Sequence, residues 1–135
     1  MNTPENLNSL EKNQIFVFGS NRAGRHGKGA ALVAARKFGA KYGQGDGLMG
    51  QSYGIPTKDK NLKSLPIEKV GIAVQRFKRF AAEHKELTFF VTKIGCGLAG
   101  FKEKDIAPMF NESSENIVLP IEFTRILGNH EELRL

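Results

Sequence analysis

Twice in this chain an apolar stretch runs into a glycine-rich loop and out into a helix-forming segment, and this constrains the fold more than any other feature. In the first passage Ile15-Phe16-Val17-Phe18 is apolar without alternation, as in a strand covered on both faces. Gly19 ends it, and a polar loop through Ser20, Asn21, Arg22, Arg25, His26, Gly27, Lys28 and Gly29 leads to residues 30–38, which are rich in strong helix formers and closed by Gly39. In the second passage residues 87–94 form a strand that enters Gly95-Cys96-Gly97-Leu98-Ala99-Gly100. A brief helix is expected after it, over residues 102–110, with Pro108 near its end.

Such junctions have a chemistry of their own. Backbone N–H groups at a helix start lack intrahelical partners, and the helix dipole adds partial positive charge there. Glycine lets the backbone approach a ligand closely and adopt positive φ. In parallel α/β sheets ligands lie at the carboxyl ends of the strands. Two such loops on neighbouring strands would clamp a diphosphate from both sides. The plainer alternative is that the glycines only make tight turns.

The rest of the chain fits an α/β domain. Residues 1–13 are polar and unpatterned and read as a loose N-terminus. Gly39, Gly43, Gly45, Gly47 and Gly50 suggest a wandering surface segment. A short strand is expected over residues 51–57, closed by Pro56. A helix follows, with Ser64 as N-cap, Pro66 in the first turn and Val70, Val74, Phe77 and Ala81 on its buried face. Residues 116–121 read as a third buried strand. Strands alternating with helices imply a mostly parallel sheet between helical layers. The 135 residues make one domain, 1–135.

Composition narrows the partners. Lys and Arg outnumber Asp and Glu 20 to 14, a net charge of +6, which favours anionic ligands without separating a phosphorylated small molecule from nucleic acid. The basic residues Lys69, Arg76, Lys78 and Arg79 read as a solvated helix face. Two tyrosines and no tryptophan argue against base-stacking platforms. No apolar run approaches the roughly 18 residues that cross a bilayer, the N-terminus lacks the pattern of a secretory signal, and the single Cys96 fits a reducing compartment. A cytoplasmic protein without membrane partners is expected.

Motif tests sharpen this. Gly27-Lys28-Gly29 does not fit the phosphate loop of P-loop enzymes. Gly95-x-Gly97-x-x-Gly100 matches the dinucleotide fingerprint, with Glu115 twenty residues on. That fingerprint, however, normally opens a βαβ unit with a full-length helix and more strands to come.

Thr92-Lys93-Ile94-Gly95-Cys96-Gly97-Leu98-Ala99-Gly100-Phe101 resembles the second phosphate loop of the macrodomain superfamily, most nearly the branch of the terminal ADP-ribose protein glycohydrolase. His26-Gly27-Lys28-Gly29-Ala30-Ala31-Leu32 is similar to that branch's first ligand loop, and Arg36-Lys37-Phe38-Gly39 resembles the end of its helix. The resemblance implies a three-layer α/β/α fold with a mostly parallel, mixed central sheet that binds ADP-ribose or a related nucleotide, free or on an ADP-ribosylated macromolecule. Gly27, Lys28, Gly29 and Ala30 would hold the ligand from one side. Gly95, Cys96, Gly97, Leu98, Ala99 and Gly100 would hold it from the other, with Phe101 at the ribose pocket. Three departures bear on catalysis and base recognition: Ala99 stands where the branch has its catalytic aspartate, Ala35 falls near its catalytic lysine, and residues 1–14 lack the Gly-Asp whose acid reads the adenine.

The remaining chemistry is open at this point. Asn21 either orients a water or ribose hydroxyl or satisfies its own loop. His26 is either a general base or a solvated loop residue. Cys96 is either an activated thiol or a structural one. His26, His84 and His130 have no metal-ligand spacing with each other or with Cys96, and neither metal nor cofactor is expected. The functional expectation divides between a hydrolase of an ADP-ribosyl linkage, with Asn21 and His26 as its catalytic candidates, and a non-catalytic module that senses or sequesters such a nucleotide. A basic nucleic-acid-binding protein is the third alternative.

Overall fold

The apolar run at residues 15–18 is buried throughout but divides by face, as a strand's two-residue period requires. Ile15 and Val17 enter one hydrophobic cluster and Phe16 and Phe18 the other. This strand, β1 (Gln14–Asn21), is therefore central, and the computed structural model, which describes the backbone of residues 1–132 and the side chains of residues 1–128, builds the domain around it. The order continues with α1 (Gly29–Lys37), β2 (Gly47–Met49), β3 (Ser52–Lys58), α2 (Ile67–Glu83), β4 (Thr88–Val91), α3 (Glu103–Ile106), a 3-10 turn (Ala107–Phe110), β5 (Ile117–Val118) and α4 (Ile121–Glu132). The sheet order is β2-β3-β1-β4-β5, parallel except for β2.

Helix α1 covers one face through Ala31 and Ala34, packed with Phe16, Phe18 and Phe38. On the other face α2 sets Val70, Ala73, Val74, Phe77 and Ala81 against Tyr53, Ile55, Phe89 and Val91, and Phe110 and Phe123 complete the cluster. The layers are α/β/α, as the strand–helix alternation implies.

Several local expectations need correction. Residues 1–13 are not loose: Thr3 donates its N–H to the Leu119 carbonyl at 2.9 Å and its hydroxyl to the Val118 carbonyl at 3.0 Å. Leu7 and Leu10 then pack on the α1-side cluster, so the segment straps that face of the sheet. The glycine-rich stretch holds the antiparallel edge strand β2. Pro56 does not close β3 but pairs with Ser20 inside it. Ser64 does not cap α2, whose N-cap is Pro66 without a side-chain bond. The expected strand at 116–121 contracts to Ile117–Val118, because Pro120 starts a helix whose first carbonyl accepts from Phe123 and Thr124. The helical face of α2 is also less free than its charges suggest. Arg76 pairs with Asp46 at 2.9 Å, and Lys78 Nζ donates to the carbonyls of Met109 and Asn111 at 3.2 and 2.7 Å.

One close approach depends on glycine. A Cβ on Gly45 would stand 1.8 Å from the Asn21 carbonyl oxygen, so only glycine lets the 40–46 loop lie on the end of β1. There the Gly45 carbonyl accepts from the Ser20 hydroxyl.

Candidate functional site

β1 and β4 are parallel neighbours, yet the chain leaves them towards opposite faces: β1 leads to α1, and β4 leads to α3, whose Ile106 is buried in the α2-side cluster. Adjacent parallel strands whose connections diverge open a crevice at their carboxyl ends. Both glycine loops begin here, and a cavity of about 460 Å³ lies between them. Its walls include Gly19, Ser20 and Asn21 from β1, Gly27 to Ala31 from the first loop and helix start, and Thr92 to Gly95 with Gly97 to Ala99 from the second.

The loops meet across this space. Gly29 takes φ +61°, a left-handed conformation, and a Cβ there would lie 4.0 Å from Leu98 Cδ1. It is the first residue of α1, whose N-cap Lys28 makes no side-chain cap bond, so the first N–H groups of the helix lack intrahelical partners. Gly97 has open space around the position of a Cβ and lines the same cavity. Arg25, Lys28, Lys58 and Lys93 put four cationic side chains in its walls. A second cavity, also about 460 Å³, adjoins the first through the shared residues Ala30, Thr92, Lys93 and Gly97 and extends beneath the N-terminal strap to Asn6, Leu7, Phe16, Val33 and Cys96.

The residues expected from sequence divide. Gly27, Lys28, Gly29, Ala30, Gly95, Gly97, Leu98 and Ala99 all line the first cavity, and Cys96 faces the second. Gly100 and Phe101 line neither. Phe101 instead packs on the α2-side core beneath its loop, where a Cβ on Gly95 would meet its ring at 3.1 Å. Asn21 borders the cavity, but its amide is committed: Nδ2 donates to the Arg25 carbonyl at 2.7 Å, and Oδ1 accepts from the Arg25 N–H at 2.9 Å. The asparagine pins the first loop into its turn.

His26 is not a solvated loop residue. It is fully buried between Phe18 and Tyr42, with Nε2 within 2.8 and 3.0 Å of the Lys41 and Gln44 carbonyls. Two carbonyl acceptors fix the proton on Nε2, and Nδ1 has no partner. The ring stands behind the loop, outside both cavity walls. The Cys96 thiol is pushed up to about 11 by burial, with Glu103 and Asp105 adding to the effect and Lys93 opposing it. It is a poor nucleophile near neutral pH. The Rossmann alternative loses its acid, because Glu115 lies in the turn before β5, at the opposite end of the sheet from the loops. Among the described residues no three His, Cys, Asp or Glu side chains gather as metal ligands, and no helix is long and apolar enough to cross a membrane. The His130 side chain lies outside the described residues.

Three contributors escaped the sequence reading. Lys58 and Thr57 end β3 and Leu62 follows them; all three line the first cavity, as does Lys93, which the second-loop motif contained without a role assigned to it. Only strand order brings Thr57 and Lys58 beside the first loop, through a β1–β3 pairing that joins Asn21 to Lys58. Thr92, whose hydroxyl donates to the Val17 carbonyl at 2.8 Å, is a further wall residue of that motif without an assigned role.

No protein-family model matches the chain, and no curated protein sequence does. Its structure is similar to two solved ones. A protein of unknown function from Bacteroides thetaiotaomicron superposes with a TM-score of 0.59 at 18% identity, over 84% of this chain and 88% of that one. A macrodomain protein from Streptomyces coelicolor superposes with a TM-score of 0.56 at 17% identity, over 84% and 91%. The fold is macrodomain-like.

Proposed function

We propose that this chain binds ADP-ribose or a related NAD-derived nucleotide, free or attached to a macromolecule, with the diphosphate between the two glycine loops. The observation that carries the reading is the facing of Gly29 and Leu98 across one crevice at the start of α1. Backbone N–H groups from both sides suit a diphosphate, and Arg25, Lys28, Lys58 and Lys93 supply charge around it. The two ends of such a ligand differ chemically, as do the two cavities. The strap cavity offers the apolar side chains of Leu7, Phe16 and Val33 and the amide of Asn6, which suits a flat base. The first cavity offers glycine backbone groups to a sugar, the hydroxyls of Ser20, Thr57 and Thr92 being donated to the Gly45, Ser20 and Val17 carbonyls.

Binding without turnover is favoured over hydrolysis by a specific feature. Among the described residues the walls of the first cavity hold no carboxylate and no imidazole, and the nearest carboxylate in the adjoining cavity wall is Glu5 of the strap, so the first cavity itself lacks a general base suited to neutral pH. Ala99 stands at the position where the glycohydrolase-like branch has its acid, and it is in the wall. Asn21 is spent on Arg25, and His26 lies behind the loop. The nucleic-acid reading is weakened by the engagement of Arg76 and Lys78 within the fold.

Thermal shift tests the reading. ADP-ribose at about 100 times its dissociation constant should stabilise the fold by about 2.7 kcal/mol, while a short oligonucleotide gives only a small, salt-sensitive shift. Gly97→Val should abolish the ADP-ribose shift while keeping the unliganded melting temperature, because its Cβ enters open space without positive φ. Absence of any ADP-ribose effect on the wild type, or an undiminished one in Gly97→Val, would defeat the assignment. Release of ADP-ribose from modified protein would restore the hydrolase.

A further inference from the structure

The N-terminal strap is fixed at its two ends and free between them. At the first end Asn2 Nδ2 donates to the Leu119 carbonyl at 3.1 Å and to the Thr124 hydroxyl at 2.7 Å. Thr3 adds its two bonds to the Leu119 and Val118 carbonyls, at 2.9 and 3.0 Å. At the other end Leu7 and Leu10 pack on the α1-side cluster, and Lys37 Nζ donates to Asn8 Oδ1 at 3.1 Å. Among the described residues Pro4, Glu5 and Asn6 find no hydrogen-bond or ion-pair partner, and all three are exposed.

These three residues, with Leu7 and Asn8, nonetheless form one wall of the second cavity, opposite Val33 of α1 and Cys96 and Gly97 of the second glycine loop. An exposed span without bonded partners opens at low cost, so its closure is left to its ends. Pro4 fixes its own φ and keeps Thr3 extended, which stiffens the span next to its anchor.

The anchor stands apart from the ligand space. Asn2, Thr3, Val118, Leu119 and Thr124 line neither cavity. The same short stretch of chain also grips Lys93, through Glu122 at 3.5 Å, and Lys93 lines both cavities. Residues 118–124 therefore hold the hinge of the strap and a cation at the junction of the two cavities.

We infer that residues 4–8 are a lid over the second cavity, latched by Asn2 and Thr3 to the β5–α4 junction, and that a nucleotide enters and leaves when the latch opens. This rests on the nucleotide-binding reading above. A latch that touches no ligand favours the closed strap equally with and without one, so it sets how fast the nucleotide exchanges and not how tightly it is held.

Amide exchange and NMR line shapes of the whole chain with ADP-ribose test the lid. The Thr3 N–H, bonded to the Leu119 carbonyl, reports the latch. Without ligand it should exchange at least about 100-fold faster than the β1 amides, and saturating ADP-ribose should slow it about tenfold or more. Asn2→Ala, Thr3→Val and Thr124→Val each remove side-chain bonds of the latch. Each should raise the association and dissociation rate constants for ADP-ribose together by about fivefold, the factor for one lost hydrogen bond, and leave the dissociation constant within about twofold. Thr124→Val alters no strap residue, so the same response from it ties the effect to the latch. ADP-ribose that moves no resonance of the wild type overturns both the nucleotide reading and the lid. Binding that leaves Thr3 exchange unaltered, or latch variants that keep wild-type rate constants or change the dissociation constant instead, overturns the lid and leaves the nucleotide reading standing.

Discussion

Asn21 offers the sharpest separation of a structural role from a chemical one. Its amide makes two hydrogen bonds to Arg25, one to the carbonyl at 2.7 Å and one from the N–H at 2.9 Å, and the residue is only 9% exposed. Each such bond contributes about 1 kcal/mol net. Arg25 itself is exposed, so water recovers part of what its freed backbone groups lose. Asn21→Ala should therefore cost about 2 kcal/mol and lower the melting temperature by roughly 6–10 °C for a domain of this size. Asn21→Asp is the discriminating variant. It keeps the acceptor for the Arg25 N–H but sets a carboxylate against the Arg25 carbonyl, so its loss should be comparable although it adds an acid to the cavity wall. Scanning calorimetry and urea unfolding read both variants without any ligand. Were Asn21 kept for holding a water or a ribose hydroxyl, both unliganded variants would melt within about 1 °C of the wild type. That result would refute the strut.

Two further expectations follow from burial and close approach. With its thiol held at about 11 rather than 9.0, Cys96 should react with iodoacetamide at pH 8 about 100-fold more slowly than an unperturbed thiol, because the thiolate fraction falls by that factor. A raised pKa favours the protonated form, so the rate should climb about tenfold per pH unit up to that value and jump on unfolding in urea; a rate at pH 8 near that of free cysteine would contradict the burial. Gly45→Ala should lift the 40–46 loop from β1, break the Ser20 contact and cost more than about 3 kcal/mol. Gly43→Ala, at φ +90° with nothing within 4 Å, should cost only about 1–2 kcal/mol, and equal stability of the two variants would rule out the close approach.

What could be read from the sequence follows the range of the interactions involved. The central strand was legible because burial on both faces leaves an unbroken apolar run, and α2 because Val70, Val74, Phe77 and Ala81 keep helical spacing. Strand β2 was not, since three residues among glycines carry too little pattern and earn their place only by pairing with β3. Helix α4 was hidden because Leu119-Pro120-Ile121 extends an apolar run whose proline in fact begins a helix. The site shows the same division. Glycine loops are local and carry a motif, so eight of the eleven ligand residues expected from them line the first cavity. Lys58, Leu62 and the N-terminal strap arrive through pairings with residues far along the chain, and no window of sequence contains those. The burial of His26 belongs with them, because the carbonyls that bind it come from Lys41 and Gln44.

The basic charge and the glycine loops answer different physical needs, and the structure separates them. Arg25, Lys28, Lys58 and Lys93 reach the cavity from three loops, and among the described residues only Lys93 has a carboxylate partner, Glu122 at 3.5 Å. Cations spread around a mouth draw an anion in from solution but do not fix its position, since lysine and arginine side chains are long and screened by salt. Position comes from backbone N–H groups, whose geometry is set by the turn they belong to. That turn is held by residues that need never touch ligand: Asn21 bonded to Arg25, His26 clamping the 41–44 loop beneath it, and Ser64 bonded to Ala99. The residues most suggestive of catalysis in the sequence are thus the ones that brace the cradle. The asparagine and histidine are committed to the rigidity of the loops, and the polar side chains left in the first cavity wall are hydroxyls and cations.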